Sequence, residues 1–218
     1  VAINCIGLIK QRGSLVSDSE MMVINGEFPH RLAQFANNHG TRVIHISTDC
    51  VFSGTKGSYL ESDTPDPVDL YGISKLLGEL NDSDNLTLRT SHIGRELTVK
   101  RSFIEWLVSQ KGGHVDGYSN AVYSGLTTQA LATTLSKLLL GNSHITGLFH
   151  VSSQPISKLE IINKLNELLN LEINVISDSK VQINRSLNSD KFRLATNLIP
   201  HNWDQMLSDF CKDQKNYE

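Results

Sequence analysis

The 218-residue sequence predicts a doubly wound α/β fold: a parallel sheet covered on both faces, with a small lobe at the C-terminal end. Three observations carry this. Short apolar runs rich in β-branched residues recur at Val1–Gly7, Arg42–Ser47, Leu86–Thr90 and Gly147–Ser152. Their near-continuous apolar character is that of strands buried on both faces. Between them lie stretches with helical periodicity, and this alternation needs crossover helices rather than hairpins.

The elements follow in order. Val1–Gly7 reads as a buried parallel strand, and a buried strand at a terminus needs neighbours on both sides, so material upstream of Val1 is expected. Leu15–Asn38 reads as a helix stopped by Gly40, with Pro29 bending or restarting it. Arg42–Ser47 is a strand, and Thr48–Leu70 is a long loop rich in Gly, Pro, Ser and Asp, of the kind that tends to carry function. Leu70–Leu80 is a helix and Leu86–Thr90 a strand. Ser102–Gln110 is a helix closed by Gly112 and Gly113, and Thr127–Leu140 an amphipathic helix closed by Gly141. Gly147–Ser152 is a strand. Ser157–Leu169 opens on the capping box SKLE. Asn188–Ala195 and Trp203–Lys212 are short helices.

Composition narrows the function. Lys and Arg total 20 against 23 Asp and Glu, a net charge of −3, which argues against a phosphate-neutralising nucleic-acid binder. No apolar run approaches the ~18–20 residues that span a bilayer. Cys5, Cys50 and Cys211 are odd in number and far apart, so a reducing cytoplasm is expected rather than a disulfide scaffold. The eight histidines form no zinc-binding pattern. His45 and His150 read as core residues, Trp106 as core rather than a ligand stack, and His92 as the histidine nearest the chemistry.

The chemistry starts with YGISK at 71–75. Four residues is about one helical turn, so Tyr71 and Lys75 share a face. An ammonium beside a phenol lowers the phenol pKa from ~10, and such a Tyr exchanges a proton with a carbonyl or alcohol. Tyr and Lys also meet at this spacing on many exposed helices. Upstream, STDCVFSG at 47–54 begins at the carboxyl end of a strand, where open α/β sheets bind ligands. Its hydroxyls either meet a substrate or cap the next segment.

Together these motifs resemble the extended short-chain dehydrogenase/reductases, in particular the dTDP-4-dehydrorhamnose reductase-like branch. The resemblance takes in Tyr59, Glu61, Asp66, Pro67 and the extension YGISKLLGE at 71–79. It runs upstream through Val1–Gly7 and Asn25, and downstream through Leu88–Thr90, Ser124–Thr128, Gly147–Ser152 and Arg185–Ser189. It implies a Rossmann-like domain over 1–150, with some lobe segments interspersed, and mainly a substrate lobe over 151–218. It implies NADPH or NADH as cofactor and reduction of a nucleotide-linked 4-keto-6-deoxy sugar. A nucleotide-sugar epimerase reusing the same residues, or a non-catalytic subunit like the β subunit of methionine adenosyltransferase, remains open. It leaves room for a homodimer, with no nucleic-acid or membrane partner.

By the same resemblance, Tyr71 is the general acid, and Lys75 lowers its pKa and holds the nicotinamide ribose. Thr48 hydrogen-bonds the reacting oxygen, and Asn25 holds a relay water. Cys5, Ile6 and Gly7 lie along the cofactor, and Arg89–Ile93, with Thr90, Ser91 and His92, faces it or the substrate. Asp49, Val51 and Phe52 meet the substrate. Arg185 suits the substrate diphosphate or makes a surface salt bridge. The chain departs from the pattern twice. None of its 15 glycines forms the GxxGxxG loop that cradles the pyrophosphate, so that loop and the NAD-or-NADP selector are expected upstream of Val1. Cys50 stands where the family usually has Tyr.

Overall fold

The computed structural model describes residues 1–9, 16–96, 100, 102–141 and 144–213. Its centre is a parallel four-stranded sheet of β1 (Ala2–Asn4), β2 (Val43–Thr48), β3 (Leu86–Thr90) and β8 (Gly147–His150), in that spatial order. The register aligns Asn4 with His45 and Thr48 with Thr90, so the carboxyl ends of the strands lie together. Neighbouring side chains on a strand face opposite ways. Val43 therefore packs with Ala33, Ala36 and Leu80 on one face, while Ile44 packs with Ile104, Leu107, Leu131 and Leu135 on the other. This is the double winding that the alternation of elements predicts.

The first helical stretch is interrupted. A capping box at Ser17 and Glu20 opens α1 (Asp18–Met21). A wider π-helical turn follows over Met22–Glu27, and α2 (Phe28–Asn37) restarts with Pro29 in its first turn, where a missing N–H costs little. The restart thus falls where Pro29 predicts it. The π turn presses against α3 (Leu70–Leu77) at Gly78, where a Cβ would overlap the Asn25 carbonyl oxygen.

β1 differs from its expectation. It has three residues, pairs with β2 alone among the described strands, and leaves Val1 and Ile3 exposed at the sheet edge. Sequence periodicity also missed seven short strands. These are β4 (His92–Ile93), β5 (His114–Tyr118), β6 (Ala121–Tyr123), β7 (Leu126–Thr127), β9 (Ile156–Ser157), β10 (Asn174–Asp178) and β11 (Ile183–Asn184). They pair across long sequence separations: β5 with β10, β6 with both β9 and β11, and β4 with β7. The helices α4 (Phe103–Ser109), α5 (Thr128–Leu140), α6 (Lys158–Leu168), α7 (Asp190–Thr196) and α8 (Trp203–Lys212) complete the chain. At Ser157 the two bonds of the capping box form as the sequence predicts. Trp106 corrects an expectation: it is 41% exposed on α4 and leans on Phe103, because it faces away from the sheet. Among the described residues no helix is long and apolar enough to cross a membrane.

His45 and His150 have no exposed surface. Burial, with Lys75 beside the first and Arg89 beside the second, lowers their pKa values to about 3 and about 4. An unfolded histidine titrates near ~6.5, so below that pH the unfolded chain binds more protons than the folded one. The stability of the neutral rings is therefore complete above pH ~6.5 and is lost as pH falls toward the folded values. At no more than ~1.4 kcal/mol per pH unit for each ring, urea unfolding at pH 5 should show roughly 2–4 kcal/mol less stability than at pH 7. His150→Gln should remove about half of that slope. A slope unchanged in the variant would show that other groups drive it.

Candidate active site

β2 ends at Thr48, whose side chain caps the single 3₁₀ turn Asp49–Val51 by accepting from the Cys50 N–H at 3.2 Å. α3 begins at Leu70, capped by Asp69, which accepts from the Gly72 N–H at 2.8 Å. The two meet at Gly72, where a Cβ would overlap the Cys50 carbonyl oxygen. The glycine after Tyr71 therefore lets the turn lie directly on the helix, and the Tyr71 phenol reaches a hydrogen bond with Thr48.

Two adjoining cavities open here. One, of about 380 Å³, is lined by Thr48, Asp49, Cys50, Tyr71, Thr90 and Lys158, among others. The other, of about 300 Å³, runs along Cys5–Ile9 and is closed by Ile46, Lys75, Leu131 and Leu135. Tyr71, Ser47 and His92 line both, so the phenol stands at their junction. Thr90 and Ser91 line only the first.

Lys75 lies in the floor of the second cavity, donating to the Ile46 carbonyl at 2.7 Å and lying 3.3 Å from His45 Nε2. On its far side His45 Nδ1 is 3.0 Å from the Asn4 amide nitrogen, whose own oxygen accepts from the Ile6 N–H. Burial lowers the Lys75 pKa to about 8, against the opposing pull of Glu79 and Cys5. The expectation that Lys75 lowers the Tyr71 pKa is corrected. Burial raises that pKa, Cys50, Asp49 and Asp69 push it the same way, and the Thr48 hydrogen bond only opposes them. The phenol keeps its proton at neutral pH.

The second cavity suits a flat ring and a ribose. Ile6, Leu8, Ile46, Leu131 and Leu135 give it aliphatic walls beside the polar Ser47, Tyr71 and Thr128, and its floor carries the Lys75 ammonium.

A family model described as RmlD substrate binding domain matches residues 16–216. The chain belongs to this family. Among its relatives, the probable low-salt glycan biosynthesis reductase Agl14 of Haloferax volcanii is 30% identical, over 82% of this chain and 63% of that protein. The dTDP-4-dehydrorhamnose reductase of Burkholderia thailandensis is 35% identical, over 60% of this chain and 48% of that protein. The chain thus spans about half to two thirds of the length of these curated relatives. A hypothetical dTDP-4-dehydrorhamnose reductase from Sulfolobus tokodaii superposes with TM-score 0.78 at 28% identity, over 94% of this chain and 77% of that one. A dTDP-4-dehydrorhamnose reductase from Bacillus anthracis, solved in complex with NADP, shares the fold with TM-score 0.83 at 23% identity, over 97% of this chain and 79% of that one.

Within this RmlD-family chain, several residues depart from their expected places. Asn25 holds no open site: its amide accepts from the Leu8 N–H at 2.8 Å and donates to the Leu8 carbonyl and to Ser74, clamping the strand exit onto α3. Val51 and Phe52 point into a cluster with Tyr59 and Leu187, because the 3₁₀ turn directs them inward, and Phe52 stacks on Tyr59 at 4.1 Å. Arg185 sits outside both cavity walls. It donates from Nε to the Phe52 carbonyl at 2.8 Å and approaches Cys50 Sγ at 3.8 Å, so it braces the turn. Arg89 turns away from the cleft, and its guanidinium grips Glu79 with two bonds of 2.7 Å. Asp49 does face the cleft, its carboxyl pushed up by burial while Arg185 favours the charged form.

Sequence reasoning missed Lys158, Tyr123 and Phe103, which line the same cleft as Thr48. The only local signal was the capping box, which puts Lys158 at the first position of α6.

Proposed function

We propose that the full-length protein reduces the keto group of a nucleotide-linked 4-keto-6-deoxy sugar. The observation that carries this reading is the hydrogen bond between Thr48 and a proton-bearing Tyr71 at the junction of two cavities. In it, residues 1–150 supply most of the cofactor side and residues 151–218 most of the sugar side, with 114–127 joining the latter. Family membership and the reductase names of its relatives support it.

Cys5–Gly7, Tyr71, Lys75 and His92 would hold the nicotinamide end of NADPH or NADH, which supplies hydride when bound. The work of the chain is to place the carbonyl and give a proton. Thr48 and Tyr71 hold the keto oxygen. As the carbon becomes tetrahedral, the oxygen approaches alkoxide basicity, comparable to hydroxide with water at pKa ~15.7. Even a phenol with a raised pKa is a stronger acid than that, so Tyr71 donates its proton downhill. The Lys75 ammonium, in the floor of the second cavity, would hold the nicotinamide ribose, and solvent returns the proton to Tyr71. The thiols of Cys5, Cys50 and Cys211, which form no disulfide among the described residues, suit a reducing cytoplasmic location.

The direct test is loss of NADPH absorbance on adding dTDP-4-keto-6-deoxy sugar to the purified full-length protein. Oxidation that depends on the sugar nucleotide supports the reading. Conversion to a C3 or C5 epimer with no net oxidation would replace it with epimerisation.

A further inference from the structure

Lys158 carries an unmet hydrogen-bonding capacity. Its Nζ lies 4.4 Å from the centre of the Phe103 ring and 4.1 Å from that of Tyr123, held between two aromatic faces. Among the described residues it has no hydrogen bond and no ion pair, so its three N–H groups lack an oxygen acceptor. Tyr123 is 6% exposed, and its buried hydroxyl likewise has no partner. Both side chains line the cleft that holds Thr48, Asp49 and Tyr71. A buried polar group left unmatched is costly, and the Tyr123 hydroxyl, on the same wall as a half-buried ammonium that lines the cleft, points to a ligand that matches both.

We propose that Lys158, with Asp49 nearby and Phe103 and Tyr123 as an aromatic floor, reads a ring hydroxyl of the sugar beside the carbon served by Tyr71. This rests on the sugar-nucleotide reading of the cleft. Charge decides between a hydroxyl and a phosphate. Asp49 and Lys158 each favour the charged form of the other, and a phosphate here would meet the Asp49 carboxyl as well as the ammonium. A hydroxyl satisfies both, accepting from Lys158 and donating to Asp49. The aromatic faces suit the C–H face of a hexose. With the keto oxygen fixed at Thr48 and Tyr71, this second grip sets the rotation of the ring.

The test is calorimetry on the full-length protein with two probes, dTDP and dTDP-rhamnose. The wild type should bind dTDP-rhamnose more tightly than dTDP. Lys158→Met should cut the sugar-dependent gain about tenfold or more and leave dTDP binding within twofold. Lys158→Gln, which also removes the charge, should show the same split, with thermal unfolding reporting on the fold of both. A full sugar gain in the variants would overturn the proposal. So would an equal loss for dTDP and dTDP-rhamnose, which would assign Lys158 to the diphosphate. A wild type that gains nothing from the sugar would overturn the sugar-nucleotide reading itself, and with it this inference.

Discussion

Tyr71→Phe should lower turnover of the 4-keto sugar nucleotide by roughly 10²–10⁴-fold, the usual contribution of a positioned proton donor. Binding of the sugar nucleotide should stay within a few-fold. The ring fills the junction of the two cavities in both variants, whereas only the hydroxyl bonds Thr48 and gives a proton. An interaction used mainly in the transition state appears in kcat and not in affinity. Steady-state kinetics and calorimetry on the full-length protein separate the two. A variant with wild-type turnover would leave Tyr71 as a packing residue. One that loses binding and turnover together would make the hydroxyl a general substrate contact instead.

Glu79→Leu should destabilise the protein by about 3–5 kcal/mol. Glu79 is fully buried and holds Arg89, itself 3% exposed, through two parallel bonds of 2.7 Å, while Ser47 donates to the same carboxylate at 2.7 Å. Arg89 also lies 5.1 Å over the Phe52 ring and 3.4 Å from His150 Nε2. Removing the carboxylate strands a guanidinium that cannot shed its proton at any relevant pH. The double variant Glu79→Leu with Arg89→Met should recover much of the loss, since a buried pair and an apolar replacement are often near parity. Urea unfolding of the single and double variants measures this. A single variant within 1 kcal/mol of wild type would show that water reaches the arginine.

This pair also joins the layers that carry the site. Glu79 follows α3, Arg89 is on β3, and Ser47 immediately precedes Thr48. The lock holds helix and strands together one residue from the reacting group. The glycines at 72 and 78 do the complementary work, letting α3 press on the Asp49–Val51 turn and on the Met22–Glu27 turn. The GE of YGISKLLGE is thus a packing feature next to a chemical one.

What the sequence determined by itself was local. Strand and helix identity followed from side-chain period, the starts of α5 and α6 from Thr127 and the Ser157 capping box, and the restart at α2 from Pro29, because each depends on groups within about one turn of chain. The shared face of Tyr71 and Lys75 and the strand-end position of Thr48 are local in the same sense. Tertiary structure decided everything that joins distant segments. It turned Phe52 into the core and set Arg185 to brace its carbonyl, committed the Asn25 amide to Leu8, and brought Lys158 and Tyr123 into one cleft with Thr48. It also reversed the expected shift of Tyr71, because the protonation of a phenol depends on the water removed by its neighbours and on which charges the fold places beside it, and no spacing along the chain records either.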